Sequence, residues 1–223
     1  DILNGGEGAP LTPVYHNVIT QSSNSYPQVF LNIGGVSNIT YVENGIDPIA
    51  FDTGPGNALI DDYMIKLYAK DYDLSGDIAA RGVVNKNFVK NFLSNNYFRL
   101  PPPKSLDRNH FVIDVDSSIT NDDLIASLTQ ITIESIGLAK SYFPKKPKIW
   151  IVCGGGRNNR TIIRGLQEII EEPVVIAEEV NLRGKYIEAE AFAFLAVRRI
   201  LGMPISYPST TGVRKPVVGG EII

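Results

Sequence analysis

The chain opens on glycines and prolines, then settles into short apolar runs separated by turn-forming residues. Residues 1–16 contain Gly5-Gly6-Glu7-Gly8-Ala9-Pro10, a loop signal, followed by a short segment reaching His16. Val29-Phe30-Leu31-Asn32-Ile33 is an apolar run closed by Gly34-Gly35, which predicts a buried strand. Residues 37–42 alternate with β-branched positions, and Glu43-Asn44-Gly45 supplies a hairpin turn. Residues 49–51 make a third short strand ending at Asp52, so the three segments predict an antiparallel meander.

Helical spacing then takes over. Apolar residues at 59, 60, 64, 65 and 67 predict a helix over 58–70, with Asn57 as its N-cap. Residues 86–93 predict a second helix, stopped by Asn95-Asn96. Pro101-Pro102-Pro103 removes donors and fixes φ, which forbids a regular element there. Asn121 is placed to cap a long helix from Asp122 to about Tyr142, with Asp122-Asp123 complementing its dipole. Residues 148–153 read as a central strand, followed by Gly154-Gly155-Gly156 and a helix over 161–170. A buried strand at 174–176 and an Ala- and Phe-rich helix at 187–200, expected to be buried on more than one face, complete the pattern. Strands first, then strand alternating with helix, predict an α/β layered domain.

Composition narrows the function classes. With 223 residues, 43% hydrophobic and 20% charged, the chain can bury a core without staples. No apolar run approaches the roughly 20 residues that span a bilayer, so no membrane partner is expected. A net charge of −3 with scattered lysines and arginines leaves no footprint for nucleic acid. Cys153 is the single cysteine, which rules out an internal disulfide framework and fits a reducing cytoplasm. It is expected to be buried and inert at a strand end. His16 and His110 stand far apart without ligand spacing, so no metal site is assigned. Asp1 leads directly into motif-like residues and is read as an internal residue of a longer protein.

Three constellations can carry chemistry. In Leu31-Asn32-Ile33-Gly34-Gly35-Val36-Ser37-Asn38 a strand delivers a diglycine turn that an anionic oxygen can approach closely; a plain hairpin turn is the alternative. In Phe51-Asp52-Thr53-Gly54-Pro55-Gly56-Asn57 a carboxylate sits at a strand end before a helix start, where it can accept a proton; an Asx turn closing the strand is the alternative. In Val152-Cys153-Gly154-Gly155-Gly156-Arg157-Asn158-Asn159 a triglycine turn follows a buried strand and offers a surface for a nucleoside or a phosphate. Pro102 to Arg108 combines a rigid turn with cations that can meet phosphate or sugar, or simply forms a solvated loop. Glu188 and Glu190 lie on the Ala-rich helix, where one of them is expected to point into a polar cleft.

In order, these blocks resemble the C-terminal half of the anhydro-N-acetylmuramic acid kinases. The resemblance also rests on Pro103-Lys104-Ser105, on Glu188-Ala189 with Ala191-Phe192-Ala193, and on Pro208-Ser209 with Thr211-Gly212 and Gly219. It implies a ribonuclease-H-like lobe of the actin-like ATPase type, a mixed sheet flanked by helices. The whole of 1–223 would be the C-terminal lobe of a two-lobe sugar kinase, with the tail from about 202 packing toward the absent N-terminal lobe. The implied reaction takes 1,6-anhydro-N-acetylmuramic acid, ATP and water to N-acetylmuramic acid 6-phosphate, in cell-wall recycling in the cytoplasm. Asp52 would be the general base. Glu188, Gly54 and Asn57 would hold the sugar. Gly34, Gly35, Asn38, Gly154, Gly155, Gly156 and Asn158 would hold ATP, with Mg²⁺ on its phosphates.

The partners implied are ATP, an anhydro amino sugar and an N-terminal lobe or a partner chain carrying it, with a homodimer as a further option. Asn181 to Tyr186 lacks the acidic residues the family shows before Glu188, which touches the choice of sugar more than the fold. A kinase for another anhydrosugar such as levoglucosan, a non-catalytic binding subunit and a proteolytic fragment are the competing readings. The chain alone is expected to be inactive.

Overall fold

A computed structural model describes residues 1–20, 26–115 and 117–221. Five strands form one mixed sheet in the order β3-β2-β1-β4-β5. They are β1 (Gln28–Ile33), β2 (Val36–Val42), β3 (Ile49–Pro55), β4 (Ile149–Cys153) and β5 (Val174–Ile176). The first three form the expected antiparallel meander, Leu31 opposite Ile39 and Ile39 opposite Phe51. β4 runs parallel to β1 and β5 runs parallel to β4, so β4 is an interior strand paired on both sides, as its apolar run requires.

Among the described residues, six α-helices cover the two faces: α1 (Pro13–Thr20), α2 (Ala58–Tyr68), α3 (Lys86–Leu93), α4 (Asn121–Leu138), α5 (Arg160–Ile169) and α6 (Ile187–Ile200). The period of two along each strand decides which side chain meets which layer. Val29, Leu31, Ile33, Trp150 and Val152 point into a large core with α2, α4 and α5. Phe30, Ile151 and Cys153 point the other way, into a smaller core with Ala177 and Ile187 at the start of α6. Fully burying a side chain such as Leu31 contributes about 1.5–3 kcal/mol, so the two-sided sheet is the principal source of stability. Cys153 is buried, as expected, and its thiol is pushed up to about 12 chiefly by burial.

Several expectations need correction. Asp52 lies within β3, which continues to Pro55, because a bulge between Ser37 and Asn38 leaves Thr53 as an extra residue and pairing resumes at Gly54. Asn57 does not cap α2 with its side chain; its amide donates to the Ile33 carbonyl at 3.3 Å. The cap of α4 is Thr120, whose hydroxyl accepts from the Asp123 N–H, and the α-helix proper ends at Leu138 before a tighter last turn. The segment ending at His16 is helical through Thr20. α6 is buried along one stripe only, Ile187, Ala191 and Leu195, while Phe192, Val197 and Ile200 face outward. No helix among the described residues is long and apolar enough to cross a membrane.

Candidate functional site

β1 and β4 lie side by side and parallel, and their carboxyl ends reach the same rim of the sheet. There the chain leaves in two different directions, β1 through Gly34-Gly35 into β2 and β4 through the triglycine into α5. Such a divergence opens a crevice beyond the strand ends. A cavity of about 540 Å³ occupies it, walled by the Gly8 to Thr12 loop, Asn32, Asn38, Asp52, Gly154, Gly155 and the first turns of α6.

Asp52 is the buried acid of this cavity, 6% exposed. Burial pushes its carboxyl up to about 6, against the Leu106 N–H, which donates to Oδ2 at 2.7 Å and favours the ionised form. Its main chain is held as well: the Tyr97 hydroxyl donates to the Asp52 carbonyl at 2.7 Å, and the Asp52 N–H donates to the Lys104 carbonyl at 3.0 Å. Oδ1 accepts no hydrogen bond among the described residues, which leaves one oxygen for a ligand. An acid poised near 6, with one oxygen pinned and the other open, has the geometry of a general base.

Glu188 stands in the first turn of α6 and lines the same cavity. Glu190 does not; it accepts from the Tyr15 hydroxyl at 2.7 Å and pairs with Arg183 at 2.5 Å. Of the two acids on this helix, one therefore faces the cleft and the other ties α6 to α1. Arg157 and Lys185 add cationic groups to the wall. Arg157 is fixed by donation to the Gly154 carbonyl at 2.7 Å and by its Nε–Glu178 contact at 3.0 Å. His16, buried behind the Gly8 to Thr12 loop, stacks on Phe30 at 4.5 Å between ring centroids, and its Nδ1 hydrogen-bonds with the Thr40 hydroxyl. Burial pushes its imidazole down to about 3, so it stays neutral through the working range.

A second cavity of about 470 Å³ lies on the other side of Gly155, lined by Asn57, Ile60, Asp61, Tyr72, Asn158 and Asn159 among others. Gly155 borders both spaces, and a Cβ there would find only the Asn57 amide, at 3.9 Å. Its neighbours are closed in. A Cβ on Gly154 would meet Asn32 Oδ1 at 2.4 Å, and one on Gly156 would meet Ile33 at 2.3 Å. Asp61 is pushed up to about 6, mainly by burial and against the pull of Arg108.

The structure thus gathers Asn38, Asp52, Gly154, Gly155 and Glu188 in one cavity, and places Asn57, Asn158 and again Gly155 in the other. Gly34, Gly35, Gly54 and Gly156 line neither cavity. The carbonyls of Gly34 and Gly35 accept from the Asn57 and Ala58 N–H groups and hold the start of α2. Gly54 packs against Ser135 and Phe98. Lys104, expected to meet a ligand or solvent, is buried and lines neither cavity. Arg157, Lys185, His16, Asn32 and Asp61 were not singled out from sequence. Arg157 and Asn32 were legible only as parts of their glycine-bearing blocks, and Lys185, His16 and Asp61 carry no local signal that points to a site.

The family model for anhydro-N-acetylmuramic acid kinase matches residues 1–223. The chain belongs to the anhydro-N-acetylmuramic acid kinase family. A relative of that name from Zymomonas mobilis is 46% identical over 225 residues, which cover 100% of this chain and 61% of the relative. One from Bradyrhizobium diazoefficiens is 44% identical, again with 61% of its length covered. The chain therefore spans about three fifths of the length of these family members. Among solved structures, a ligand-bound xylulose kinase from Lactobacillus acidophilus superposes with a TM-score of 0.52 at 14% identity, covering 84% of this chain and 41% of that one. A xylulose kinase from Rhodospirillum rubrum gives 0.51 at 12% identity, covering 74% and 37%. At that identity they speak to fold alone, and the fold shared with part of these kinases is the expected α/β one, a mixed sheet flanked by helices.

Proposed function

We propose that the chain forms one lobe of an ATP-dependent kinase that takes 1,6-anhydro-N-acetylmuramic acid and water to N-acetylmuramic acid 6-phosphate. The observation that carries this reading is Asp52, an acid near 6 that lines a cavity together with Glu188 and has only Oδ2 engaged by Leu106. In the proposed reaction Asp52 Oδ1 takes a proton from water as the water oxygen bonds to C1 of the sugar. The bond from C1 to the bridging oxygen breaks, and that oxygen, still on C6, attacks the γ-phosphorus of ATP while ADP leaves. The proton on Asp52 then returns to solvent. Glu188 accepts hydrogen bonds from sugar hydroxyls. Arg157 and Lys185 suit a sugar that bears a carboxylate, as the lactyl group of muramic acid does; levoglucosan has none, and this favours the muramic substrate.

The second cavity suits the nucleoside, with apolar Ile60 and Leu74 beside the amides of Asn57, Asn158 and Asn159. Gly155 then lets the nucleotide pass close to the backbone toward the sugar. Asn38, on the Asp52 side, would meet the phosphates, whereas Gly34 and Gly35 would act on them only through the turn they shape. No group of three or more His, Cys, Asp or Glu is found among the described residues, so these residues fit Mg²⁺ only as an ion carried by the ATP phosphates, where it neutralises charge. The rest of a full-length kinase would supply the groups facing the γ-phosphate, and the enzyme proposed is a two-lobe kinase acting in the cytoplasm. Isothermal titration of the 223-residue chain with ADP, alongside ADP release by the full-length protein given the anhydrosugar, tests this. ADP binding without turnover by the chain, and sugar-dependent turnover by the full-length protein, is expected. Absence of sugar-dependent ADP release in the full-length protein refutes it.

A further inference from the structure

Behind β3 runs a strap, residues 101–108, with a buried cation for which the reaction above has no task. Lys104 is 8% exposed, and its ammonium forms no ion pair among the described residues. The Nζ instead stands 4.7 Å from the ring centroid of Tyr97, 5.4 Å from that of Tyr142 and 5.8 Å from that of Phe51. It donates to the Tyr97 carbonyl at 3.1 Å. Lysine usually carries its charge to water on a flexible stem. Folding it inward under three aromatic faces trades hydration for cation–π contact, and burial holds this ammonium down to about 8.

The residues that enclose Lys104 also hold Asp52. The ammonium reaches the Tyr97 carbonyl, the Tyr97 hydroxyl reaches the Asp52 carbonyl, and the Asp52 N–H reaches the Lys104 carbonyl. Those three hydrogen bonds close a circuit. Two residues further along the strap, the Leu106 N–H donates to Asp52 Oδ2. The carboxylate is thus oriented by a segment with no regular secondary structure of its own, whose fixed point is the boxed ammonium.

We propose that Lys104 is a positioning residue for Asp52: its ammonium, boxed by Phe51, Tyr97 and Tyr142, fixes the strap so that the Leu106 N–H stays on Oδ2 and Oδ1 is the oxygen offered to the cavity. The inference rests on the reading of Asp52 as the base, but its test does not use turnover. The ¹³C carboxyl resonance of Asp52 and the amide proton of Leu106 are followed against pH in the 223-residue chain and in Lys104→Met. Methionine keeps an unbranched chain that can fill the box without charge. In the variant the Asp52 carboxyl titrates higher by about half a unit or more, as a hydrogen bond to its ionised form weakens. The Leu106 proton moves upfield as its bond lengthens. A folded Lys104→Met chain with both signals unchanged overturns the proposal.

Where the variant does not fold, the unmodified chain decides. Its Leu106 amide shift follows the titration of the Lys104 ε-carbon near pH 8; a Leu106 signal that stays flat through that titration overturns the proposal. The other titratable or charged groups around the box are Tyr97 and Tyr142 within it, His110 against Tyr97, Asp52 beyond the Tyr97 hydroxyl, Glu7 against Ser105, and Asp107 and Arg108 on the strap itself. Each is assigned in the same spectra. If the kinase reading fails, phosphorylation is absent while the Asp52 shift is intact; if this inference fails, the opposite pattern appears.

Discussion

Replacing Asp52 with asparagine should stabilise the protein while removing its proposed chemistry. The carboxyl titrates at about 6 when folded against 3.8 as a free side chain, because burial disfavours its charge. Between those values the folded state binds the proton more tightly than the unfolded chain, so this group makes stability fall as pH rises. Its cost is absent below about 3.8 and complete above about 6. A displacement of about two pH units corresponds to about 3 kcal/mol. That figure is already net of the Leu106 bond to the ionised form; asparagine still has its own buried amide to desolvate, so about 1–3 kcal/mol of net stabilisation is expected at pH 8. Urea unfolding of both forms at pH 8 and pH 4, followed by circular dichroism, measures it. The gain should be largest at pH 8 and shrink toward pH 4. An Asp52→Asn chain that is no more stable at pH 8, or whose advantage grows as pH falls, refutes the reasoning.

His16 has the opposite slope. Its folded value of about 3 lies below the ordinary 6.5, so the stability tied to the neutral ring is present above 6.5 and is lost as pH falls toward 3. The loss is about 1.4 kcal/mol per pH unit, and urea titrations of His16→Gln should show a flatter acid limb than the unmodified chain. Gly54→Ala places a Cβ 2.8 Å from the Ser135 hydroxyl and 2.9 Å from Ser135 Cβ. Overpacking of that kind costs about 1–3 kcal/mol and should appear as a lower thermal midpoint. Gly155→Val has room for its Cβ and a backbone without positive φ, so calorimetric ADP binding should weaken at least tenfold while the melting temperature holds within a few degrees.

The sheet was legible because its strands are continuous apolar runs bounded by glycine. Residues 29–33 and 148–153 have no other way to bury both sides of the chain, and the Glu43-Asn44-Gly45 turn set the meander. Asp52 and Glu188 were legible as acids in unlikely places, one beside a buried strand and one in an Ala-rich helix. What escaped were features made by distant segments. The extra residue at Thr53 becomes a bulge only when paired with Ser37 and Asn38. Thr120 outcompetes Asn121 as a cap because the chain enters α4 extended at Thr120. α1 is eight residues long and begins at Pro13, too short for a clear period. Lys104 reads as solvent-facing in a Pro-rich strap, and only folding brings Phe51, Tyr97 and Tyr142 around it. Glycine is ambiguous in the same way: a small residue is equally a sign of close ligand approach and of close packing, and Gly34, Gly35, Gly54 and Gly156 sit at turns or against packed neighbours outside the two cavities.

The central claim is that Asp52 Oδ1 removes the proton from the attacking water. It is tested most directly by single-turnover phosphorylation of 1,6-anhydro-N-acetylmuramic acid in H₂¹⁸O, comparing the full-length protein with its Asp52→Asn form. The unmodified protein should give sugar 6-phosphate carrying ¹⁸O at C1, and the variant should slow by about 10²- to 10⁴-fold with ATP affinity unchanged. Turnover within a few-fold of the unmodified rate, or product phosphate without ¹⁸O at C1, contradicts the account.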